Sequence, residues 1–143
     1  MADASPAVVP MIAYRDGAAA MDWLATAFGF HERTRWLDAD GVLTHGEMEA
    51  GRGLIMLATP TPDYEGPAQH RSHCEQAAAW SRVPWVIDGV MVNVDDIASH
   101  FDKAQAAGAR LLSGVEDGPD GSRLYRTEDL EGHRWMFIER VRA

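Results

Sequence analysis

The chain has 143 residues, of which 46% are hydrophobic and 24% charged, with a formal net charge of −9. That size and balance fit one globular domain with its own core and argue against a disordered or membrane-embedded chain. The acidic balance also disfavours unassisted binding to nucleic acid or anionic lipid, since neutralising phosphates needs a basic face. Small molecules and a second copy of the chain are left as the expected partners.

Met1 to Pro6 lack the basic start and apolar stretch of a secretion signal, and no later stretch reaches the roughly 18 apolar residues needed to span a bilayer. The single cysteine, Cys74, allows no intramolecular disulfide and suits a reducing compartment, so the expected location is the cytoplasm. Val8 to Ala13 is a short apolar run that predicts a strand, broken by Arg15-Asp16-Gly17. From Ala18 to Phe28 the pattern turns helical, with Met21, Leu24, Ala25 and Phe28 on one stripe and Gly29 where a C-terminal cap belongs. Glu32 to Leu37, Val42 to Glu49 and Leu54 to Ala58 are extended segments, divided by the turn compositions Asp38-Ala39-Asp40-Gly41 and Gly51-Arg52-Gly53. The first module, about residues 8–58, therefore reads β, α, β, β, β.

Residues 59–89 connect it to the rest. Thr59 to Pro67 is too rich in proline for a helix or central strand, and Gln69 to Trp80 reads as a helix ended by Val83-Pro84. Trp80 and Trp85 give this connector apolar surface to bury on the body or on a partner subunit. The second module, residues 90–141, repeats the order. Val90 to Val94 predicts a strand, Asp95-Asp96 a helix cap, and Ile97 to Ala107 an amphipathic helix closing on Gly108. Arg110 to Gly114, Arg123 to Thr127 and Arg134 to Glu139 are its extended segments. A shift of about 80 residues lays one half on the other, matching Gly29 with Gly108, His45 with Tyr125 and Met56 with Met136. The whole of residues 1–143 is read as one domain.

The closing segment Leu124-Tyr125-Arg126-Thr127-Glu128-Asp129-Leu130-Glu131-Gly132-His133-Arg134-Trp135-Met136-Phe137 resembles the final hairpin of the vicinal-oxygen-chelate group, which includes glyoxalases, bleomycin resistance proteins and dioxygenases. That hairpin usually carries Asp-Pro-x-Gly, and Leu130 stands here in the proline's place. The stretch Gly89 to Asp96 followed by Ala106-Ala107-Gly108-Ala109 likewise resembles the start of a second module of that group. The resemblance implies an α+β fold of two βαβββ modules forming a cupped mixed sheet. It also implies that metal-bearing members draw ligands from the first and last strands of each module, at places that count here to Val9, Met56, Gly89 and Met136. None is a hard-metal ligand, so no metal centre of the usual kind is expected.

Two clusters stand out as candidate sites. His45 and Glu47 lie two apart on one strand and share a face, while Val42, Thr44 and Met48 share the other. His45 would act as acid or base, with Glu47 orienting it or binding a ligand; an exposed polar face of an edge-like strand is the plainer reading of the pair. The repeat would place Tyr125 opposite His45, with Arg123 and Thr127 on its face and Met56 and Met136 beside it, a setting for a planar or anionic organic ligand. His70, His73, Cys74 and Ala77 fall on one face of the connector helix, where a structural role is the better reading. His133 reads as a turn residue, and His31 and His100 as a helix exit and a helix surface.

The sequence thus supports a metal-independent protein that binds a small organic molecule in the cup between modules, as a homodimer that closes open sheet edges. One alternative is a lyase, isomerase or dioxygenase-type enzyme with one divalent metal ion at a non-standard site involving His45 and Glu47. Another is a drug-sequestering protein with an acidic groove.

Overall fold

In a computed structural model that describes residues 6–141, the chain is an α+β fold of two βαβββ modules joined by a connector. Residues 1–5, and with them most of the segment read above for a secretion signal, lie outside the described residues, as do 142 and 143. Module one comprises β1 (Met11–Ala13), α1 (Gly17–Phe28), β2 (His31–Leu37), β3 (Leu43–Ala50) and β4 (Gly53–Ala58). Helix α1 starts where the Asp16 carboxylate accepts the Ala19 amide, and stops at Gly29, whose φ of 71° is left-handed. The sheet order is β1-β4-β3-β2, with β1 parallel to β4 and the other pairs antiparallel.

The connector holds two short helices, α2 (Pro67–Arg71) and α3 (Glu75–Ser81), in place of the single helix expected over Gln69 to Trp80. The Ser72 hydroxyl donates to the Gln69 carbonyl at 2.6 Å, and Cys74 is extended, so the helix breaks between them. His70, His73, Cys74 and Ala77 therefore do not share one helical face. Module two comprises β5 (Gly89–Asn93), α4 (Ile97–Ala106, capped by the Asp96 side chain), β6 (Arg110–Leu111), β7 (Glu116–Asp117), β8 (Arg123–Glu128) and β9 (Arg134–Glu139). Its order is β5-β9-β8-β6, with β7 also on β8. The strand expected over Arg110 to Gly114 is cut short, because the amides of Leu112 and Ser113 both turn to the Arg126 carbonyl. Among the described residues no helix is long and apolar enough to cross a membrane.

Helices α1 and α4 pack on each other, and each sheet turns one face toward them. Leu43, Met48, Ile55 and Leu57 from the first sheet, Val92, Tyr125, Trp135 and Phe137 from the second, and Met21, Leu24, Phe28, Ile97 and Ala104 from the helices make one core. Phe28 sits at its centre, edge-on to Phe30, Trp135 and Phe137 at ring separations of 5.6, 5.8 and 4.7 Å. Since both helix-covered faces serve this shared core, the opposite face of each sheet looks outward.

Two polar clusters lock the rest. Asp129 accepts from the Tyr14 hydroxyl at 2.5 Å, from Trp135 Nε1 at 3.0 Å and from the amides of Glu131 and His133. His133 is more than a turn residue, because its Nε2 lies 2.7 Å from the Ala13 carbonyl and ties the final hairpin to module one. Burial, then the Asp129 charge, holds the Tyr14 hydroxyl well above its ordinary pKa. The second cluster is Glu128, 1% exposed, with Arg134 at 3.1 Å, Arg71 at 2.8 Å and Arg110 at 3.2 Å. Arg134 also donates to the carbonyls of Ser81 and Val83 at 2.7 Å, which fastens the connector to module two. Gly132 seats it closely: its φ is 93°, and a Cβ there would lie 2.5 Å from the Ala68 nitrogen.

Candidate functional site

The outward faces are ordered by strand register. On module one, Met11 pairs with Met56, Met56 with Glu47, and Glu47 with Thr34, so these four side chains form one row across β1, β4, β3 and β2. Trp36 pairs with His45 in the next row. On module two, Met91 pairs with Met136 and Met136 with Arg126, the same row in the second repeat. Met11 and Met91 stand in these rows, two residues beyond the places counted from the sequence as Val9 and Gly89. Among the described residues no three His, Cys, Asp or Glu side chains are grouped to hold a metal ion.

His45 and Glu47 do share a face and do meet, with His45 Nε2 at 3.1 Å from a Glu47 oxygen and about a quarter of each side chain exposed. The Trp36 ring lies against the imidazole at 4.9 Å between centroids, with 62% of that tryptophan open to solvent. With Nε2–H donating to the carboxylate, Nδ1 keeps a free lone pair, so the dyad can accept a proton or a ligand there. Beside it lies a hollow of 210 Å³ lined by Met11, Ala13, His45, Met56, Ala58 and Pro60. Its walls are apolar apart from the imidazole, which suits a flat organic group with one polar contact.

Tyr125 does not stand opposite His45. It pairs with Phe137 and is fully buried on the helix side of the second sheet, where its hydroxyl meets His100 Nδ1 at 2.6 Å. Burial raises its pKa. His100 in turn is not a surface residue, since its Nε2 reaches the Phe28 carbonyl at 2.9 Å and burial lowers its pKa. Thr127 is buried on the same side, and Arg123, two residues before Tyr125, is exposed at the strand's start. Strand alternation gives the outward position to Arg126, ion-paired to Glu116 at 3.2 Å, and to Met136. Sequence reasoning missed Trp36, Met11, Met91 and Arg126; counting by twos along β8 from its partner Met136 is the signal that recovers Arg126.

A model of the Glyoxalase/Bleomycin resistance protein/Dioxygenase superfamily matches residues 7–137. Among solved structures, TioX from Micromonospora sp. ML1 is 31% identical with a TM-score of 0.70, covering 96% of this chain and 98% of that one. FosX from Listeria monocytogenes, described as a genomically encoded fosfomycin resistance protein, is 9% identical with a TM-score of 0.63 over 96% of this chain and 94% of that one, a likeness of fold alone. An uncharacterized protein of Mycobacterium tuberculosis strain H37Rv, Rv0887c, is 28% identical over 96% of this chain and 76% of its own length.

Proposed function

Because the chain belongs to the Glyoxalase/Bleomycin resistance protein/Dioxygenase superfamily, we propose that it is a cytoplasmic small-molecule-binding protein that holds a planar organic ligand without the divalent metal centre of its metal-bearing relatives. The observation that carries this reading is the row Met11, Met56 and Glu47 with the open face of Trp36 beside it. Methionine adapts to varied apolar shapes, and an exposed indole offers a stacking surface. Thioethers are poor ligands for hard divalent ions, so the row favours an organic occupant over magnesium or manganese.

The outward faces of one chain point away from each other, so each is half a cup. A homodimer completes it when module one of one copy meets module two of the other. Glu47 on one face and Arg126 on the other supply opposite charges at equivalent positions of the repeat. His45, Glu47 and Met56 would then line the cup with Arg126 and Met136 of the second copy, while Tyr125, in the core, has no place in it.

The test is a thermal-shift screen of planar organic compounds, with light scattering to give the assembly. The expected result is a dimer stabilised by such a compound, because a ligand that binds only the native state raises its stability. Trp36→Ala should abolish the shift. A second reading, favoured by the His45–Glu47 pair, is a lyase, isomerase or dioxygenase-type enzyme with one divalent ion at these residues. Near-stoichiometric divalent metal in protein purified without chelator, lost on His45→Ala or Glu47→Ala, would sink the first reading in favour of the second.

A further inference from the structure

Among the described residues, methionines have contrasting surroundings. Met21 and Met48 are fully buried and fill the core, whereas Met11 is 81% exposed on an edge strand, where packing does not account for it. Met11 is the register partner of Met56 on the neighbouring parallel strand, and strands lie about 4.8 Å apart, so the two side chains stand side by side. His45 lies diagonally from Met56 and lines the same 210 Å³ hollow as both methionines. Glu47 holds the imidazole at 3.1 Å, which is the outer-shell arrangement that orients metal-binding histidines.

We propose that Met11, Met56 and His45 form a binding site for one soft monovalent cation, copper(I) or silver(I). Two neutral thioethers and one imidazole are soft and borderline donors, which select such an ion and reject hard divalent ones. The carboxylate of Glu47 fixes the ring and leaves one net negative charge beside the incoming cation. Module two supplies an internal control. Its pair, Met91 and Met136, has the Arg126 guanidinium where module one has Glu47 and has no imidazole, so it should repel the same ion. The inference rests on three donors of one module and shares its hollow with the organic-ligand reading, but it does not depend on that reading.

The experiment is anaerobic titration of the full chain with silver(I), and with copper(I) against a chromogenic chelator, in a Cys74→Ser background that removes the chain's single thiol. One ion per chain is expected. Met11→Leu and Met56→Leu, which keep apolar bulk, should each abolish it, as should His45→Gln. Glu47→Gln should weaken binding by about tenfold, and Met91→Leu or Met136→Leu should leave it unchanged. The methyl resonances of Met11 and Met56 should shift with silver, while those of Met21 and Met48 should not. No binding in the Cys74→Ser protein, or binding that survives the Met11→Leu/Met56→Leu double variant, would overturn the site. A positive thermal shift with an organic compound in those same proteins would show that the earlier reading survives its loss.

Discussion

The outward faces of the two modules share a row, Met11, Met56 and Glu47 against Met91, Met136 and Arg126, yet they treat their polar groups differently. Module one leaves His45 and Glu47 as an isolated pair, each about a quarter exposed, under a tryptophan that is itself open. Module two sinks Glu128 among three guanidiniums, two of them reaching from the strands and one from the connector. A repeated scaffold has thus split its labour. Charges that are buried and fully paired hold the chain together, and on the proposed reading the partly exposed pair is the one that serves a ligand.

Removing a buried charge is the severest way to press that contrast. Glu128→Ala strands the Arg134 guanidinium, 3% exposed, without a counter-ion and loosens its grip on Ser81 and Val83. The expected loss is about 3–5 kcal/mol in urea unfolding. A loss under about 1 kcal/mol would mean that the carbonyls alone satisfy Arg134 and that the second module is no more structural than the first. Tyr14→Phe is a milder probe of the same region. Asp129 keeps Trp135 and two amides, so the cost should be about 1–2 kcal/mol.

The interface between modules carries a pH dependence of definite sign. His100 is held neutral between Tyr125 and Phe28, mainly by burial, so its folded pKa lies below the 6.5 of a free histidine. The unfolded chain therefore binds the proton more readily, and stability rises with pH across this window. His100 contributes fully above the unfolded value, and its contribution is lost as pH falls through 6.5 toward the lowered folded value. Melting curves taken between neutral and mildly acidic pH should show this decline, and His100→Gln should flatten it. An unchanged slope in the variant would place the proton uptake elsewhere.

Much of the fold was legible because it rests on local signals. The Asp16 and Asp96 caps, Gly29 and the hairpin turns mark element ends in the sequence itself, and the order β, α, β, β, β repeats. The site was legible only in part. His45 and Glu47 lie on one strand, where alternation alone puts them together. Tyr125 depended on matching two strands across the repeat, and a shift of one residue exchanges the core face for the outward one. That shift is the difference between Tyr125, tilted against Phe137 in the core, and Arg126, beside Met136. Trp36 was not among the candidates, because only its cross-strand pairing with His45 brings it to the site, and that register leaves no mark in composition.

The smallest expected effect is the sharpest test of the division between modules. His45 and Glu47 make an ion-pair geometry at a partly exposed surface, where water screens the charges and side-chain entropy offsets the attraction. His45→Ala and Glu47→Ala should each change unfolding stability by no more than about 0.5 kcal/mol, and the double variant by no more than the sum of the two, within error. Ligand or silver binding by the same variants should fall while the melting curve stays in place. If His45→Ala instead unfolded the protein as severely as Glu128→Ala, Trp36 and the dyad would belong to the structural skeleton, and module one would have no free polar groups to offer a ligand.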